Sequence, residues 1–151
     1  MNNCYDTDSE RVFAELCRSK GYVVEKIPED PPHKTPDFKI RTGGIIIMAE
    51  VKQFDLNDVG RAIENAVRQG EVHVGAVDFD HDGGLCRKLG KQAAQLLATS
   101  GAGIPTLGVI SSNRIFGQTD YQVEHALEKG TVVLPAEISA VLHERNENLQ
   151  G

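Results

Sequence analysis

A pair of glycines between two strand-like segments constrains the fold of this chain more than any other feature of its sequence. Residues 37–42 alternate polar and apolar side chains, Gly43-Gly44 follows, and residues 45–52 are apolar on both faces for most of their length. Alternation predicts a strand, and a glycine pair is typical of a two-residue hairpin turn. A run that is apolar on both faces favours the interior of a sheet. We therefore expect an antiparallel hairpin whose second strand lies inside a sheet.

The length of this turn determines which residues face each other across the hairpin. Counting outward from the two glycines places Asp37 opposite Glu50, and directly opposed residues project to the same side with Cβ atoms about 5 Å apart. Lys52 joins that side because it lies two residues beyond Glu50. The other side of the hairpin is apolar and consists of Phe38, Ile40, Ile47 and Ala49. The sequence therefore predicts two carboxylates and one ammonium group together at the strand ends farthest from the turn.

The opposed pair Asp37 and Glu50 is suited to a divalent cation. Two close carboxylates repel each other unless a cation lies between them or one of them is protonated. Oxygen ligands favour Mg²⁺ or Mn²⁺, and such an ion activates water and offsets the charge of a phosphodiester. Lys52 would then lie beside the attacking water or the scissile phosphate. The alternative is a surface patch with an ordinary cross-strand pair of glutamate and lysine.

The segments around the hairpin predict an α/β domain. Residues 10–20 carry an apolar stripe at helical spacing that ends at Gly21, and residues 22–27 have the composition of a strand. Beyond the hairpin we predict a helix over residues 57–69, a weaker strand over 72–76, a helix over 85–99, an interior strand over 104–110, and two short helices over 120–128 and 136–145. The order helix, three strands, helix, strand, with an insert and a helical C-terminal extension, is typical of the α/β class.

Length and composition are those of one globular domain. The chain has 151 residues, of which 40% are hydrophobic and 25% charged, so we expect a single domain over residues 1–151, with a core over about 9–111 and an extension over about 112–151. No segment approaches the roughly 20 apolar residues of a membrane span. The first ten residues are polar and acidic, unlike a secretory signal. Three scattered cysteines make a reduced, cytoplasmic setting the expectation.

The motif around the predicted acid pair resembles that of a nuclease superfamily. Pro36-Asp37, followed thirteen residues later by Glu50-Val51-Lys52, is similar to the motif of the PD-(D/E)xK nucleases, whose fold is the restriction-endonuclease-like fold. The helix that begins near Ser9 and ends at Gly21-Tyr22 is similar to the opening helix of small members. The resemblance covers residues 9–52 and, more loosely, residues 85–110.

This resemblance implies both a fold and an activity. The fold would be a restriction-endonuclease-like mixed β-sheet flanked by helices in the order α-β-β-β-α-β. The activity would be that of a metal-dependent endonuclease, with Mg²⁺ or Mn²⁺ as cofactor, which hydrolyses phosphodiester bonds of nucleic acid. DNA is favoured over RNA because the superfamily leans that way. By the same resemblance, Asp37, Glu50 and the carbonyl of Val51 would hold the metal, and Lys52 would orient or deprotonate the nucleophilic water.

The resemblance also implies a helical acid near the metal, for which the first helix offers Glu10 and Glu15. At about 100° per residue, Glu10 falls within about 60° of Phe13, at the edge of the buried stripe, whereas Glu15 falls on the solvent side. We therefore select Glu10, which would contact the metal directly or through water. The alternative is a first-turn glutamate that is favoured only by the helix dipole.

A polar stripe on the predicted helix 85–99 is the candidate for nucleic-acid contacts. Its members are Lys88, Gln92 and Gln95, which flank the apolar face. The phrase Ala93-Ala94-Gln95-Leu96 is similar to a segment with a glutamine near the phosphate in several restriction-like families. The alternative for each residue is a solvated helix flank.

The charge of the chain bears on its partners and leaves alternatives open. A formal net charge of -6 disfavours a strongly basic, non-specific nucleic-acid binder, but carboxylates that hold a metal are themselves negative. A homodimer or another partner would add phosphate contacts. A second hypothesis is a nuclease-fold domain without useful turnover that binds nucleic acid or protein, and a third is a nucleotide-binding protein that uses the glycine-rich turns. The presence of both acids and the lysine favours the enzyme.

Overall fold

The computed structural model describes the predicted core and part of the segments around it. The described residues are 5–54, 62, 65–71, 83–112, 124–125, 127–129 and 133–145. They form the helices α1 (Asp8–Ser19) and α2 (Gly83–Ser100) and the strands β1 (Val23–Lys26), β2 (Phe38–Thr42), β3 (Ile45–Phe54), β4 (Thr106–Ser112) and β5 (Ala140–Arg145). Within the predicted helices 57–69 and 120–128, residues 62, 65–68, 124–125 and 127–128 are helical. The predicted strand over 72–76 lies outside the described residues.

The five strands form one mixed sheet with β3 at its centre. The strand order is β1-β2-β3-β4-β5. The neighbours β1, β2 and β3 are antiparallel, whereas β3, β4 and β5 are parallel. The prediction of an α/β fold with interior strands at β3 and β4 is therefore confirmed.

The hairpin between β2 and β3 has the register that its turn predicts. Thr42 pairs with Ile45 beside the turn, and Phe38 pairs with Ala49 at the far end. The two residues of Gly43-Gly44 have φ angles of 54° and 81°, in the left-handed region that only glycine adopts readily. Glycine at both positions thus joins the strands without strain and fixes the register.

The two helices pack on opposite faces of the sheet. On one face, Phe13, Ala14 and Cys17 of α1 form a buried cluster with Phe38, Ile40, Ala49, Val51 and Val109. On the other face, Leu85, Leu89, Ala93 and Leu96 of α2 pack with Ile110 and Ile138, joined by the half-buried Met48 and Val141. The apolar side of the hairpin therefore faces α1, as the alternation predicts. None of the helices within the described ranges is long and apolar enough to cross a membrane.

The prediction of a helix over residues 136–145 is wrong. Residues Ala140–Arg145 form β5, which pairs in parallel with β4. Val141 packs on the α2 side of the sheet and Leu142 on the α1 side, so this short strand is apolar on both faces. Together with Ile138, these residues also show the three- and four-residue spacing of a helix, and a run this short does not distinguish the two.

Candidate active site

The hairpin brings Asp37 and Glu50 together and locks each to the backbone of the other strand. The backbone N–H of Asp37 donates to Oε2 of Glu50 at 3.1 Å, and the N–H of Val51 donates to Oδ2 of Asp37 at 2.8 Å. Glu50 lies within β3 and has 0% of its surface exposed. Because these bonds join side chain and backbone in both directions, the relative position of the carboxylates is fixed by the hairpin itself.

The second oxygen of each acid faces a lysine. Nζ of Lys52 lies 2.5 Å from Oε1 of Glu50, and Nζ of Lys26 lies 3.4 Å from Oδ1 of Asp37. The structure therefore brings together Asp37, Glu50 and Lys52, as the register predicts. Lys26, at the end of β1, is a further member of the site that no motif in the sequence indicates.

Glu10 lies at the same end of the sheet, on the first turn of α1. Its residue surface is 5% exposed, and its Oε2 accepts from Nζ of Lys26 at 2.8 Å and from the backbone N–H of Asp6 at 3.1 Å. The hydroxyl of Thr7 caps the helix by accepting from the N–H of Glu10. The other helical acid, Glu15, has a side chain that is 59% exposed and pairs with Arg11. The helical spacing thus separates the two glutamates in the manner predicted.

Burial dominates the electrostatics of Glu50. Removal from water raises the pKa of Glu50, and the neighbouring charge of Asp37 raises it further, whereas the ammonium of Lys52 opposes both. The pKa of Glu50 reaches about 7 from an ordinary value of 4.5. The acid pair is therefore an unfavourable place for two full negative charges in the protein alone.

Lys26 is held as a cation. Partial burial lowers the pKa of Lys26, but the hydrogen bond to Glu10 and the charges of Asp37, Glu10 and Asp6 outweigh it, so that the pKa is raised above its ordinary value. The ammonium also lies over the ring of Phe38, 5.2 Å from its centroid. Lys26 therefore supplies a permanent positive charge and is not a proton acceptor at neutral pH.

The chemistry of Asp37 and Glu50 fits a divalent ion. Oε1 of Glu50 is buried, and the ammonium of Lys52 lies 2.5 Å from it. Within the same ranges, no group of three or more His, Cys, Asp or Glu side chains is arranged to hold a metal. Mg²⁺ is commonly bound by one or two carboxylates and keeps several waters. Two carboxylates with a backbone carbonyl, such as that of Val51, are sufficient for such an ion.

Gln92 does not lie on the exposed surface that the expected contact with nucleic acid would need. Its side chain is fully buried, and Nε2 donates to the carbonyl oxygens of Glu50 at 3.1 Å and Val109 at 2.7 Å. A Cβ at Gly108 would lie 2.6 Å from Oε1 of Gln92. Because this amide is fully buried, a phosphate cannot reach it. Its two hydrogen bonds instead join α2 to β3 at Glu50 and to β4 at Val109.

The other two members of the α2 stripe are partly exposed. Lys88 and Gln95 both have intermediate burial, although Oε1 of Gln95 is buried without a hydrogen bond among the described residues. Their expected contacts with nucleic acid stay a prediction.

No model of a known protein family matches the chain, and no curated protein matches it in sequence. The chemistry of the site must therefore be inferred from the residues that line it.

Proposed function

We propose that this protein is a metal-dependent nuclease that hydrolyses phosphodiester bonds of nucleic acid, with DNA as the favoured substrate. The observation that carries the proposal is the locked pair of Asp37 and Glu50 with Lys52 on Glu50. A buried glutamate whose pKa is raised to about 7 is costly in a purely structural role. Strongly perturbed groups of this kind are concentrated at functional sites.

The residues of the site have separable roles in this proposal. Asp37, Glu50 and the carbonyl of Val51 would hold Mg²⁺ or Mn²⁺, which when bound supplies an activated water and positive charge toward the phosphate. The hairpin keeps the two carboxylates in place, since each accepts from the backbone of the opposite strand. Lys52, 2.5 Å from Glu50, places a donor where it can orient the attacking water or a phosphate oxygen.

A cleavage assay tests the proposal. Supercoiled plasmid, single-stranded circles, branched DNA and RNA are incubated with the protein in Mg²⁺, Mn²⁺ or EDTA. We expect metal-dependent cutting by the wild type, and a loss of at least about 100-fold in Lys52→Ala and Glu50→Ala, because each removes a positioned catalytic group. Lys91→Ala, at an exposed lysine of α2, is the matched control and should cut like the wild type.

Two results of this assay would contradict the proposal. The absence of cutting on every substrate would favour a binding module that keeps the fold without turnover. Equal cutting by all variants would indicate a contaminating nuclease.

The alternative function, a binding module without turnover, has one observation in its favour. Both oxygens of Asp37 already face an N–H group or an ammonium.

Metal binding itself can be measured without a substrate. A cation at ten times its dissociation constant adds about 1.4 kcal/mol to the free energy of unfolding, which raises Tm by about 3–6 °C in a domain of this size. We expect this shift with millimolar Mg²⁺ or Mn²⁺ in the wild type, and its loss in Asp37→Asn. Asp30→Asn, at a side chain that is 76% exposed, should keep the shift. An equal shift in both variants would place the bound ion elsewhere.

A further inference from the structure

Lys26 connects helix α1 to the acid pair. Its Nζ lies 2.8 Å from Oε2 of Glu10, 3.4 Å from Oδ1 of Asp37 and 3.5 Å from Oδ2 of Asp6. The side chain is 18% exposed and its ammonium packs over the ring of Phe38, so solvent screens these contacts only in part. One partly buried cation therefore bridges a helix carboxylate and a hairpin carboxylate.

The carboxylate of Glu10 is already engaged by this bridge. Oε2 accepts from both the ammonium of Lys26 and the N–H of Asp6. For this oxygen to bind a divalent ion at the acid pair, it would have to give up the ammonium of Lys26. The contacts thus connect Glu10 to the pair through Lys26.

We infer that Lys26 is a positioning residue that fixes Asp37 for the reaction, and that Glu10 acts through Lys26 and not as a ligand of the metal. The inference rests on the proposed nuclease function. Oδ2 of Asp37 is held by the N–H of Val51, and Lys26 holds Oδ1, so both oxygens of this carboxylate are oriented. Loss of Glu10 would remove the nearest of the three carboxylates around Lys26, and loss of Lys26 would release Oδ1 of Asp37.

A double-mutant cycle at saturating metal distinguishes an action of Glu10 through Lys26 and Asp37 from direct ligation of the metal by Glu10. We expect Glu10→Gln to lower kcat about tenfold and Lys26→Met to lower it about tenfold to 100-fold, with KM for nucleic acid within about threefold of the wild type. The double variant should match Lys26→Met within about threefold, because Glu10 has no route to Asp37 without the lysine. Lys26→Arg, which keeps the charge, should recover most of kcat.

The same cycle has a second readout that does not depend on turnover. In EDTA, urea unfolding should give a coupling between Glu10 and Lys26 of at least tenfold in the unfolding equilibrium constant, because the carboxylate of this ion pair is buried and its ammonium is partly buried. Glu15→Gln on the exposed face of α1 and Lys20→Met at its C-terminus are matched controls, and we expect little change from either in both readouts.

The outcomes separate this inference from the proposed function. If the wild type cleaves and the effects of Glu10→Gln and Lys26→Met multiply in the double variant, Glu10 contributes independently and the inference is overturned. The absence of coupling in EDTA would also overturn it. A wild type that does not cleave any substrate overturns the proposed function, and with it the positioning role, even if the two residues remain coupled in stability.

Discussion

Glu50→Gln should stabilise the metal-free protein at pH 8 and, under the proposed function, should abolish cleavage. The pKa of Glu50 is about 7, against an ordinary value of 4.5, mainly because the carboxyl is buried. A difference of this size corresponds to about 3 kcal/mol. The glutamine removes the buried charge, and its amide oxygen can still accept from the N–H of Asp37. The variant nonetheless lacks the carboxylate that a metal requires.

The sign of this effect follows from the pKa of Glu50 in the folded and unfolded states. Below the unfolded pKa of 4.5 the carboxyl is neutral in both states, and its burial carries no charge penalty. As pH rises from 4.5 through the folded value of about 7, the wild type progressively loses this stability, and the loss is complete above the folded value. The advantage of Glu50→Gln should therefore be largest at pH 8 and should vanish near pH 4.5.

Urea unfolding in EDTA at pH 5 and pH 8 measures this difference. Glu25→Gln is the matched control, because the side chain of Glu25 on β1 is 51% exposed and pairs with Arg41 at 3.6 Å, and we expect no gain in stability from it. A Glu50→Gln variant that is less stable than the wild type at pH 8 would show that the ion pair with Lys52 outweighs the cost of burial.

Gln92→Glu should destabilise the protein by at least about 3 kcal/mol at pH 8. The substitution keeps the size of the side chain but places a carboxylate where Nε2 now donates to the carbonyl oxygens of Glu50 and Val109. That carboxylate would be buried, would face two acceptors, and would lie close to the acid pair. Because a buried carboxyl is favoured in its neutral form, part of the loss should be recovered at pH 5.

The free energy of unfolding, measured at both pH values, checks this expectation. Gln69→Glu, at an exposed glutamine, should change stability little. Gly108→Ala is a second substitution that disturbs the Gln92 contacts, because its Cβ would lie 2.6 Å from Oε1 of Gln92. Overpacking of this kind lowers the free energy of unfolding by about 1–3 kcal/mol. A Gln92→Glu protein as stable at pH 8 as the wild type would mean that the amide does not hold α2 to the sheet.

The parts of the site that could be predicted from the sequence are those set by local geometry. A two-residue turn and strict alternation determine the register, and the register alone brings Asp37 to Glu50 and Lys52. The helical period likewise separates Glu10 from Glu15. These inferences need only distances along the chain, which a sequence contains.

Lys26 and Gln92 depend on contacts that the sequence does not contain. Lys26 reaches Asp37 because β1 pairs with β2, but a proline-rich loop over residues 27–36 separates them, so turn geometry gives no register. Gln92 lies beside an apolar stripe and has the pattern of a solvated flank, whereas in the fold it is buried where α2 crosses β3 and β4. The strand β5 could not be predicted for a related reason, because it pairs with β4, which is distant in sequence.

Each carboxylate of the acid pair faces an ammonium group that belongs to the polypeptide itself. The chain therefore carries its own counter-ions and can fold before any metal is present. At the proposed metal site, loading would then proceed as ion exchange at Glu50, in which an arriving ion takes over the contact made by Lys52 and returns it when it leaves, while Lys26 stays on Asp37. Occupancy of such a site follows the free concentration of the ion continuously, so the supply of metal, and not the amount of folded protein, would set how much of the population is active.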